Sequence, residues 1–386
     1  MKIDVKQMSL DLHKEYKGEI KVEAIIPVTN KEELSLAYTP GVAAPCLEIA
    51  KNKEKAYDYT LKGRSVAVIS NGTAVLGLGD IGAFGSLPVI EGKALLHKSF
   101  AGTDAYPIAI DATDKDEIVN VIKAISPGFA GIHLEDIKAP ECFYIEDKLK
   151  EVLDIPVYHD DQHGTAISVL AGLYNGLRIV NKNIEDIKVV IDGAGASGIA
   201  IANLLLSAGV KDIVLCDING ALIEGDKSLN KAQEKIAKLT NRNFETGYIE
   251  DLIKGKDVFI GVCVGNVVTT EMIKTMNKDS MVFALANPIP EILPKYAKLG
   301  GARITATGRG DFKNQMNNLL VFSGLFKGLL EGRIKNINDD MKLEVAKAIA
   351  SLVKDDELNE DYILPSVFNR EVVQAVSQAV IKFKDK

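Results

Sequence analysis

The chain has 386 residues, of which 47% are hydrophobic, so it is long enough for two domains with substantial cores. Its net charge is −7 and no basic stripe with interleaved aromatic residues occurs, so nucleic acid is not an expected partner. We find no signal-like apolar core and no apolar run of bilayer length, so no membrane contact is expected. The four scattered cysteines form neither a Cys-x-x-Cys pair nor a plausible disulfide framework, which is typical of the reducing cytoplasm.

The first part of the chain mixes short predicted strands with helices. Strands are predicted at 65–70, 106–112, 128–133 and 156–158, and helices at 115–125, 140–153 and 165–180. The glycine-rich segment at 77–82 matches the Gly-x-Gly-x-x-Gly pattern and follows the first of these strands. Gly85 and Pro88 come soon after it and oppose an immediate helix, so we predict a rigid loop there and no dinucleotide site.

From residue 187 onward the predicted strands and helices alternate regularly, which indicates a parallel sheet covered on both faces. Further strands are predicted at 213–216, 258–262, 281–286 and 302–306, with helices at 229–239 and 270–276 and amphipathic helices in the tail, 340–385. We therefore predict an α/β fold in which a C-terminal Rossmann-type, doubly wound parallel sheet, residues 158–386, follows a smaller N-terminal α/β domain, residues 1–157. No Gly/Ser-rich linker marks the boundary, so we expect it inside packed structure.

A second Gly-x-Gly-x-x-Gly motif, at 193–198, has a β-branched strand before it and a helical segment after it. Gly193 permits the tight turn, Gly195 lets the backbone approach a pyrophosphate, and Gly198 lets the helix pack close to the strand. The helix N-terminus offers free N–H groups to the phosphates. The predicted cofactor-binding residues here are Gly193, Gly195, Ala196, Ser197 and Gly198.

The choice between NAD and NADP depends on Asp217, which ends the next predicted strand about 20 residues beyond the glycines. A carboxylate there accepts a ribose 2′-hydroxyl and repels a 2′-phosphate. Two negative groups within about 4 Å repel each other by a few kcal/mol at a partly desolvated surface. We therefore predict NAD, with NADP left open because Lys227 in the following loop has the reach to neutralise a phosphate.

Two acidic pairs follow predicted strands of the first part: Glu135-Asp136 and Asp160-Asp161. Open α/β sheets bind ligands at this end of their strands, and several converging carboxylates suit Mg²⁺ or Mn²⁺. The alternative is that each pair is a solvated turn or a helix cap, with Asp161 capping the predicted helix at 165–180. His159 and His163 flank the second pair, but we disfavour zinc because the two rings need not share a face.

The sequence resembles the malic enzyme family. The matching segments run in family order over nearly the whole chain, and the length matches the short prokaryotic form. They are 36–43 (LAYTPGVA), 70–82 (SNGTAVLGLGDIG), 91–93 (EGK), 134–136 (LED), 159–166 (HDDQHGTA), 283–288 (FALANP), 307–309 (TGR) and 317–318 (NN).

The resemblance implies roles for individual residues. It implies that Glu135, Asp136 and Asp161 bind the divalent metal, that Lys93 is the general base, and that Tyr38 is the acid that protonates the enol intermediate. Asp160 is similar to the partner of the catalytic lysine. The asparagines implied to contact substrate are Asn287, Asn317 and Asn318, and Asn287 is also implied to contact the nicotinamide.

The resemblance also implies the reaction, a metal-dependent oxidative decarboxylation of (S)-malate to pyruvate and CO₂ with reduction of the nicotinamide cofactor. Two alternatives stay open: malolactic chemistry, which releases lactate, and a catalytically silent nucleotide-sensing protein on the same fold. Family members of this length imply a homodimer, and a site completed across its interface is conceivable. Larger members carry a substrate-binding arginine where this chain has Ala74, and Arg309 is one candidate to replace it.

Overall fold

The computed structural model describes residues 4–75 and 77–384, so the ends of the two predicted domains, 1–3 and 385–386, lie outside the described residues. The chain begins with four helices that precede any strand. They are α1 (Val5–Tyr16), α2 (Lys31–Ala37), α3 (Ala43–Lys51) and α4 (Ala56–Tyr59). None of the four contains a buried residue, because their apolar side chains find no core within the described chain.

A first sheet of four parallel strands follows, in the order β2-β1-β3-β4. The central strand β1 is buried along its whole length, as expected for a parallel strand covered on both faces. The elements are β1 (Ser65–Ser70), α5 (Gly82–Leu96), β2 (Asp104–Ala109), α6 (Lys115–Ile125), β3 (Gly131–Leu134), α7 (Glu141–Val152) and β4 (Val157–His159). Short 3₁₀ turns at Lys53–Lys55, Leu61–Arg64 and Ser126–Gly128 and a π-helical turn at His97–Ala101 connect them.

A second sheet of six strands has the order β10-β9-β8-β5-β6-β7, and all its strands are parallel except the two-residue edge strand β7. The strand order reverses between β5 and β8, which is the position where doubly wound sheets bind ligands. The strands are β5 (Lys188–Asp192), β6 (Asp212–Asp217), β7 (Gly220–Ala221), β8 (Val258–Gly261), β9 (Met281–Ala284) and β10 (Ile304–Thr307).

Nine helices of the described chain accompany this sheet. They are α8 (Asp160–Val180), α9 (Ala196–Ser207), α10 (Lys231–Ala237), α11 (Ile249–Leu252), α12 (Thr270–Lys274), α13 (Pro294–Leu299), α14 (Leu319–Gly332), α15 (Asp339–Ala350) and α16 (Glu371–Ile381). The largest apolar core joins α8, α14, α15 and α16 to this sheet and also takes in Val66 and Tyr158 from the first sheet. The two sheets are therefore linked through a shared core, which fixes the edge where their strands end.

The predicted α/β fold with a Rossmann-type parallel sheet is confirmed, whereas the division at residues 157 and 158 stays a prediction. The expectation that no helix directly follows the first glycine-rich segment was wrong: α5 begins at Gly82 and runs through Pro88. A proline ring holds φ near the helical value and removes only one N–H donor, so a helix can continue through it. The loop before α5 is glycine-rich because Gly72, Gly77 and Gly79 all have positive φ.

The helix predicted from residue 165 begins earlier, at Asp160. Acidic side chains are favourable in the first turn of a helix, where the backbone N–H groups create a positive end, so Asp160 and Asp161 belong to the helix itself. Two strands are shifted along the chain relative to the prediction: β2 begins at Asp104, and β3 spans Gly131–Leu134. Within the described residues, no helix combines the length and the low polarity needed to cross a bilayer.

Candidate active site

The four acidic residues predicted to share a site meet at one edge of the first sheet. Glu135 and Asp136 directly follow β3, while Asp160 and Asp161 open α8 directly after β4, and the two strands are parallel neighbours. One carboxylate oxygen each from Glu135, Asp136 and Asp161 lie within 4.8 Å of one another. The backbone N–H of Asp136 donates to Oδ2 of Asp161 at 2.9 Å, which connects the two strand ends.

The donor chemistry of this acidic cluster, Glu135, Asp136 and Asp161, fits a hard divalent cation. Burial raises the pKa of Glu135 to about 7 and that of Asp161 to about 6, and nearby carboxylates add to both shifts. Glu135 and Asp136 are buried, so the pair is not a solvated turn. Asp161 bonds the N–H of Asp136, and the residue at the N-cap of α8 is His159, so Asp161 is not the helix cap.

Lys93, on α5, reaches into this edge of the sheet. Its Nζ lies 2.5 Å from Oδ2 of the fully buried Asp160 and 3.2 Å from Oε1 of Glu135. Burial alone lowers the pKa of Lys93, but the charges of Asp160 and Glu135 outweigh it, so the pKa is raised overall. The structure therefore brings together the predicted base, its predicted partner and the acidic cluster, with the lysine held as an ammonium ion.

The glycine-rich loop between β1 and α5 also belongs to this site. The backbone N–H of Ala74 donates to the carbonyl oxygen of Asp136 at 3.0 Å, so the loop lies against the acidic cluster. A Cβ added to Gly72 would lie 2.1 Å from the carbonyl oxygen of Gly82, and one added to Gly77 would lie 2.7 Å from that of Asn287. Only a chain without side chains at these positions allows such close backbone approaches.

The second glycine motif forms the turn between β5 and α9. Gly193 has a φ of 120°, and a Cβ added to Gly198 would lie only 1.8 Å from the Gly193 carbonyl oxygen, so both need glycine for the turn itself. Gly195 differs, because a Cβ there would meet no described atom within 4 Å and would project into open space. Ser197 donates its hydroxyl to the carbonyl oxygen of Asp161 at 2.8 Å, which sets this turn directly beside the acidic cluster.

Asp217 ends β6, as predicted, and its carboxylate is already oriented by two donors. Its Oδ1 accepts the N–H of Asn219 at 2.7 Å, and its Oδ2 accepts Nε2 of Gln233 at 3.2 Å. Gln233, on α10, also reaches the carbonyl oxygen of Ala194 in the glycine turn, at 3.5 Å. The sequence analysis missed Gln233, because nothing in its spacing from Asp217 shows that α10 folds back onto the turn.

The three predicted asparagines lie around the same edge but in different surroundings. Asn287 follows β9 and lies close to both Gly77 and Gly308. A Cβ added to Gly308 would lie 2.8 Å from the side-chain amide nitrogen of Asn287. Asn318 directly precedes α14. A Cβ added to Gly164 would lie 2.8 Å from the Cβ of Asn318 and would also meet Oδ1 of Asp160. Asn317 uses its amide oxygen to accept the N–H of Leu319 at 2.9 Å, which leaves its NH₂ group for other contacts.

Arg309 is committed to neighbours in the described chain. Its guanidinium donates to both carboxylate oxygens of Asp311, and Nη1 donates to the carbonyl oxygen of Pro288 at 2.8 Å. These contacts hold Arg309 beside the Asn287 loop.

Known protein families match the chain over most of its length. Residues 17–150 match the family described as "Malic enzyme, N-terminal domain" and residues 162–384 match "Malic enzyme, NAD binding domain". The chain is 50% identical over 381 residues to the bifunctional malic/malolactic enzyme of Bacillus subtilis, which covers 98% of this chain and 93% of that protein. It is 54% identical over 365 residues to the NAD-dependent malic enzyme of Geobacillus stearothermophilus, which covers 95% of this chain and 76% of that protein.

The chain belongs to the malic enzyme family. The crystal structure of the NAD-dependent malic enzyme of Thermotoga maritima agrees with this, with a TM-score of 0.93 and 45% identity over 97% of this chain and 98% of that one. The resemblance drawn from the sequence motifs is therefore confirmed. The residue roles that it implies are tested by none of these comparisons and stay predictions.

One predicted catalytic residue of this malic enzyme is not brought to the others. Tyr38 lies at the end of α2 with 66% of its surface exposed. Among the described residues, the ion pairs of Lys93 are with Asp160 and Glu135, and none joins Lys93 to Tyr38. The sequence motif gives the residue type, but it carries no information on the distance of Tyr38 from Lys93.

His133 is a buried residue of the site that the sequence analysis missed. It lies on β3 two residues before Glu135, and its Nε2 is 2.9 Å from Oε2 of that residue. Its other ring nitrogen, Nδ1, is 3.0 Å from Nε2 of the buried His97. The signal was present in the sequence, because residues two apart on a strand point to the same side of the sheet.

The two motif glycines Gly195 and Gly198 give a prediction that separates cofactor contact from turn geometry. Gly195→Ala should leave the melting temperature near that of wild type but raise the Kd for NADH about tenfold or more, because the methyl group fills the space of the pyrophosphate. Gly198→Ala should lower both the melting temperature and NADH affinity, because its Cβ strikes backbone. Calorimetric titration and thermal unfolding of both variants check this; normal NADH binding by Gly195→Ala would contradict it.

Proposed function

We propose that this member of the malic enzyme family oxidatively decarboxylates (S)-malate to pyruvate and CO₂, with NAD as the oxidant and Mg²⁺ or Mn²⁺ as the metal. The observation that supports it most is the hydrogen bond from Ser197 to Asp161, since it sets the dinucleotide turn against the acidic cluster and within the reach of Lys93. A substrate held at the cluster would therefore have a base on one side and a hydride acceptor on the other.

In this proposal Glu135, Asp136 and Asp161 hold the divalent cation. When bound, the cation would polarise the C2 oxygen of malate and offset the carboxylate charges that keep Lys93 protonated. Asp160 orients the lysine, and Lys93 in its neutral form accepts the C2 hydroxyl proton. A nicotinamide held at the Gly193 turn would supply the acceptor for the C2 hydride. The C3–C4 bond then breaks with loss of CO₂.

The remaining step is protonation of the enolate at C3, which we assign to the phenol of Tyr38. The proton that Lys93 took from the C2 hydroxyl restores the tyrosine, so one hydride leaves with the cofactor and no net proton is released. Asn287, beside Gly77 and Gly308, is proposed to contact the nicotinamide and the substrate. Asn318, beside Gly164, is proposed to contact the substrate, with the NH₂ group of Asn317 directed to a substrate carboxylate.

Malolactic chemistry is the second candidate, because the Bacillus subtilis relative carries both malic and malolactic in its name. It would use the same groups but return the hydride to pyruvate. A silent nucleotide-sensing role is disfavoured, because the ion pair of Lys93 with Asp160 beside three further acids is costly to bury without a chemical use.

The experiment that tests the proposal incubates the protein with malate, Mn²⁺ and NAD. Oxidative decarboxylation predicts stoichiometric formation of pyruvate, CO₂ and NADH. Lactate formed without net NADH would establish the malolactic reaction instead, and cofactor binding without turnover would support the sensing role.

Metal binding gives a prediction with a matched control. Asp136→Asn should raise the Kd for Mn²⁺ on the order of 100-fold, because it removes one charged ligand from the cluster. Asp147→Asn, on α7 outside the cluster, should bind Mn²⁺ as the wild type does. The readout is the rise in melting temperature on titration with Mn²⁺; an equal rise in Asp136→Asn and wild type would refute the assignment.

We also propose that the protein is a cytoplasmic homodimer in which α1–α4 lie at the subunit interface. These helices contain no buried residue, and an exposed apolar surface of this extent marks an interaction site. The four cysteines are free, which suits a reducing compartment. The N-terminal segment, residues 4–59, contains α1–α4 and the chain that connects them. Its exposed apolar side chains include Val5, Met8, Leu10, Leu12, Val22, Ile25, Ile26 and Leu36.

The same arrangement would explain the exposure of Tyr38, which lies in this segment. In the proposed dimer, Tyr38 of one subunit completes the site that contains Lys93 of the other. Lys93→Ala and Tyr38→Phe should each inactivate the enzyme when expressed alone. Co-expressed in equal amounts, they should regain about a quarter of the wild-type activity, because half of the dimers are mixed and each mixed dimer has one intact site.

Complementation has a clear opposite outcome. If Tyr38 and Lys93 of the same subunit work together, no mixed dimer contains an intact site and activity stays absent. Wild type co-expressed with Lys93→Ala controls for assembly, and size-exclusion chromatography of each preparation reports the oligomeric state.

For the cofactor we propose a preference for NAD, supported by the fixed orientation of Asp217. The kcat/KM for NAD should exceed that for NADP by about tenfold or more, because a 2′-phosphate would meet this carboxylate. Asp217→Asn should reduce the ratio, whereas Asp226→Asn, in the loop between β7 and α10, should leave it unchanged. A wild-type preference for NADP would show that Lys227 or another cation offsets Asp217.

A further inference from the structure

The sheet order determines which loops face the nicotinamide half of a bound dinucleotide. Asp217 ends β6 on one side of β5, so the adenosine ribose lies on that side of the glycine turn. The nicotinamide half must then extend in the other direction, over the ends of β8 and β9. The loops that follow these two strands contain Cys263 and Asn287.

A single side chain connects these two loops from beneath. Glu291 is fully buried; its Oε1 accepts the backbone N–H of Cys263 and its Oε2 accepts that of Ala286, each at 3.1 Å. Its own backbone carbonyl accepts the N–H of Val268 at 3.1 Å, further along the first loop. One carboxylate oxygen of Glu291 therefore holds the loop after β8, and the other holds the loop after β9. Asn287 is the residue directly after Ala286 in the second loop.

The strand beneath is built to admit this carboxylate. A Cβ added to Gly261, the last residue of β8, would lie 2.4 Å from the carboxyl carbon of Glu291. Burial, with a smaller contribution from the nearby Asp192, raises the pKa of Glu291 to about 7, although the N–H groups of Ala286 and Cys263 favour the charged form. A buried acid in this position is expensive for stability, which calls for a use beyond packing.

We propose that Glu291 is a positioning residue that sets the two loops under the nicotinamide half of the cofactor and, through Ala286, the position of Asn287. This inference rests on the proposed function, in which the dinucleotide binds across these strand ends. Glu291 touches no reacting atom in this role. It acts by holding two backbone segments, one from each of two neighbouring strands, in a fixed relation.

The chain contains a matched control at the other end of the same strands. Asp257 precedes β8, and its Oδ2 accepts the N–H of Lys188 at 2.8 Å while its Oδ1 accepts Nζ of Lys182 and Nδ2 of Asn277. It is a buried acid that connects neighbouring segments just as Glu291 does, but at the amino ends of the strands. Asp257→Asn should therefore affect stability without affecting the cofactor site.

The experiment compares the binding of NADH with that of ADP, which lacks the nicotinamide half of the cofactor. Glu291→Gln places an amide NH₂ against one of the two backbone donors, so one loop must move. We expect the Kd for NADH to rise about tenfold while the Kd for ADP stays within about twofold of wild type. Asp257→Asn should lower the melting temperature and leave both Kd values unchanged. Calorimetric titration provides all of these values.

Gly261→Ala is a second variant that displaces the same carboxylate from the strand side, in case Glu291→Gln does not fold. It should give the same selective loss of NADH affinity. Unchanged NADH affinity in either folded variant, or an equal loss for NADH and ADP, would overturn the inference. Failure of the wild type to bind NADH at all would instead overturn the proposed function, so the two failures are distinguishable.

Discussion

The ion pair between Lys93 and Asp160 is the interaction around which the rest of the site is arranged. It is almost completely buried, and Glu135, Asp136 and Asp161 lie beside it. Removing charges from water is costly, and mutual attraction repays that cost only when each charge has close partners. Here one ammonium faces four carboxylates, which leaves an excess of negative charge. That excess makes the acidic cluster suited to a divalent cation.

Close backbone approaches connect this charged edge with the dinucleotide turn. The loop containing Ala74 lies on Asp136, the loop containing Gly77 lies on Asn287, and Ser197 bonds the backbone of Asp161. The first contact joins two strand ends of the first sheet, whereas the other two join the first sheet to loops of the second. Such contacts are stiffer than contacts between long side chains, because they have few rotamers to lose. The acidic cluster and the dinucleotide turn are thereby held in a fixed relation.

The N-terminal helices α1–α4 stand apart from the packed cores of the described chain. Their apolar side chains are exposed, and Tyr38 is exposed with them. All the other residues predicted to carry chemistry lie at the carboxyl edges of the two sheets. The exposure of Tyr38 is the observation on which the proposed homodimer, with its site completed by Tyr38 of the other subunit, depends.

The sequence by itself determined the α/β class, the parallel sheets and the dinucleotide turn, because alternating apolar periods and the Gly193 motif are local signals. It also identified the acidic pairs and Lys93 through motifs. The sequence analysis placed the start of α8 too late, at residue 165 instead of Asp160. It also predicted no helix after the first glycine-rich segment, because propensity rules treat Pro88 as a helix breaker, whereas α5 runs through it. Only the tertiary structure brought Gln233 to Asp217 and Glu291 to the loops after β8 and β9, and only it showed that Tyr38 is exposed at the end of α2. Those relations join segments far apart in the chain, and no local pattern encodes how distant strand ends and helices come together.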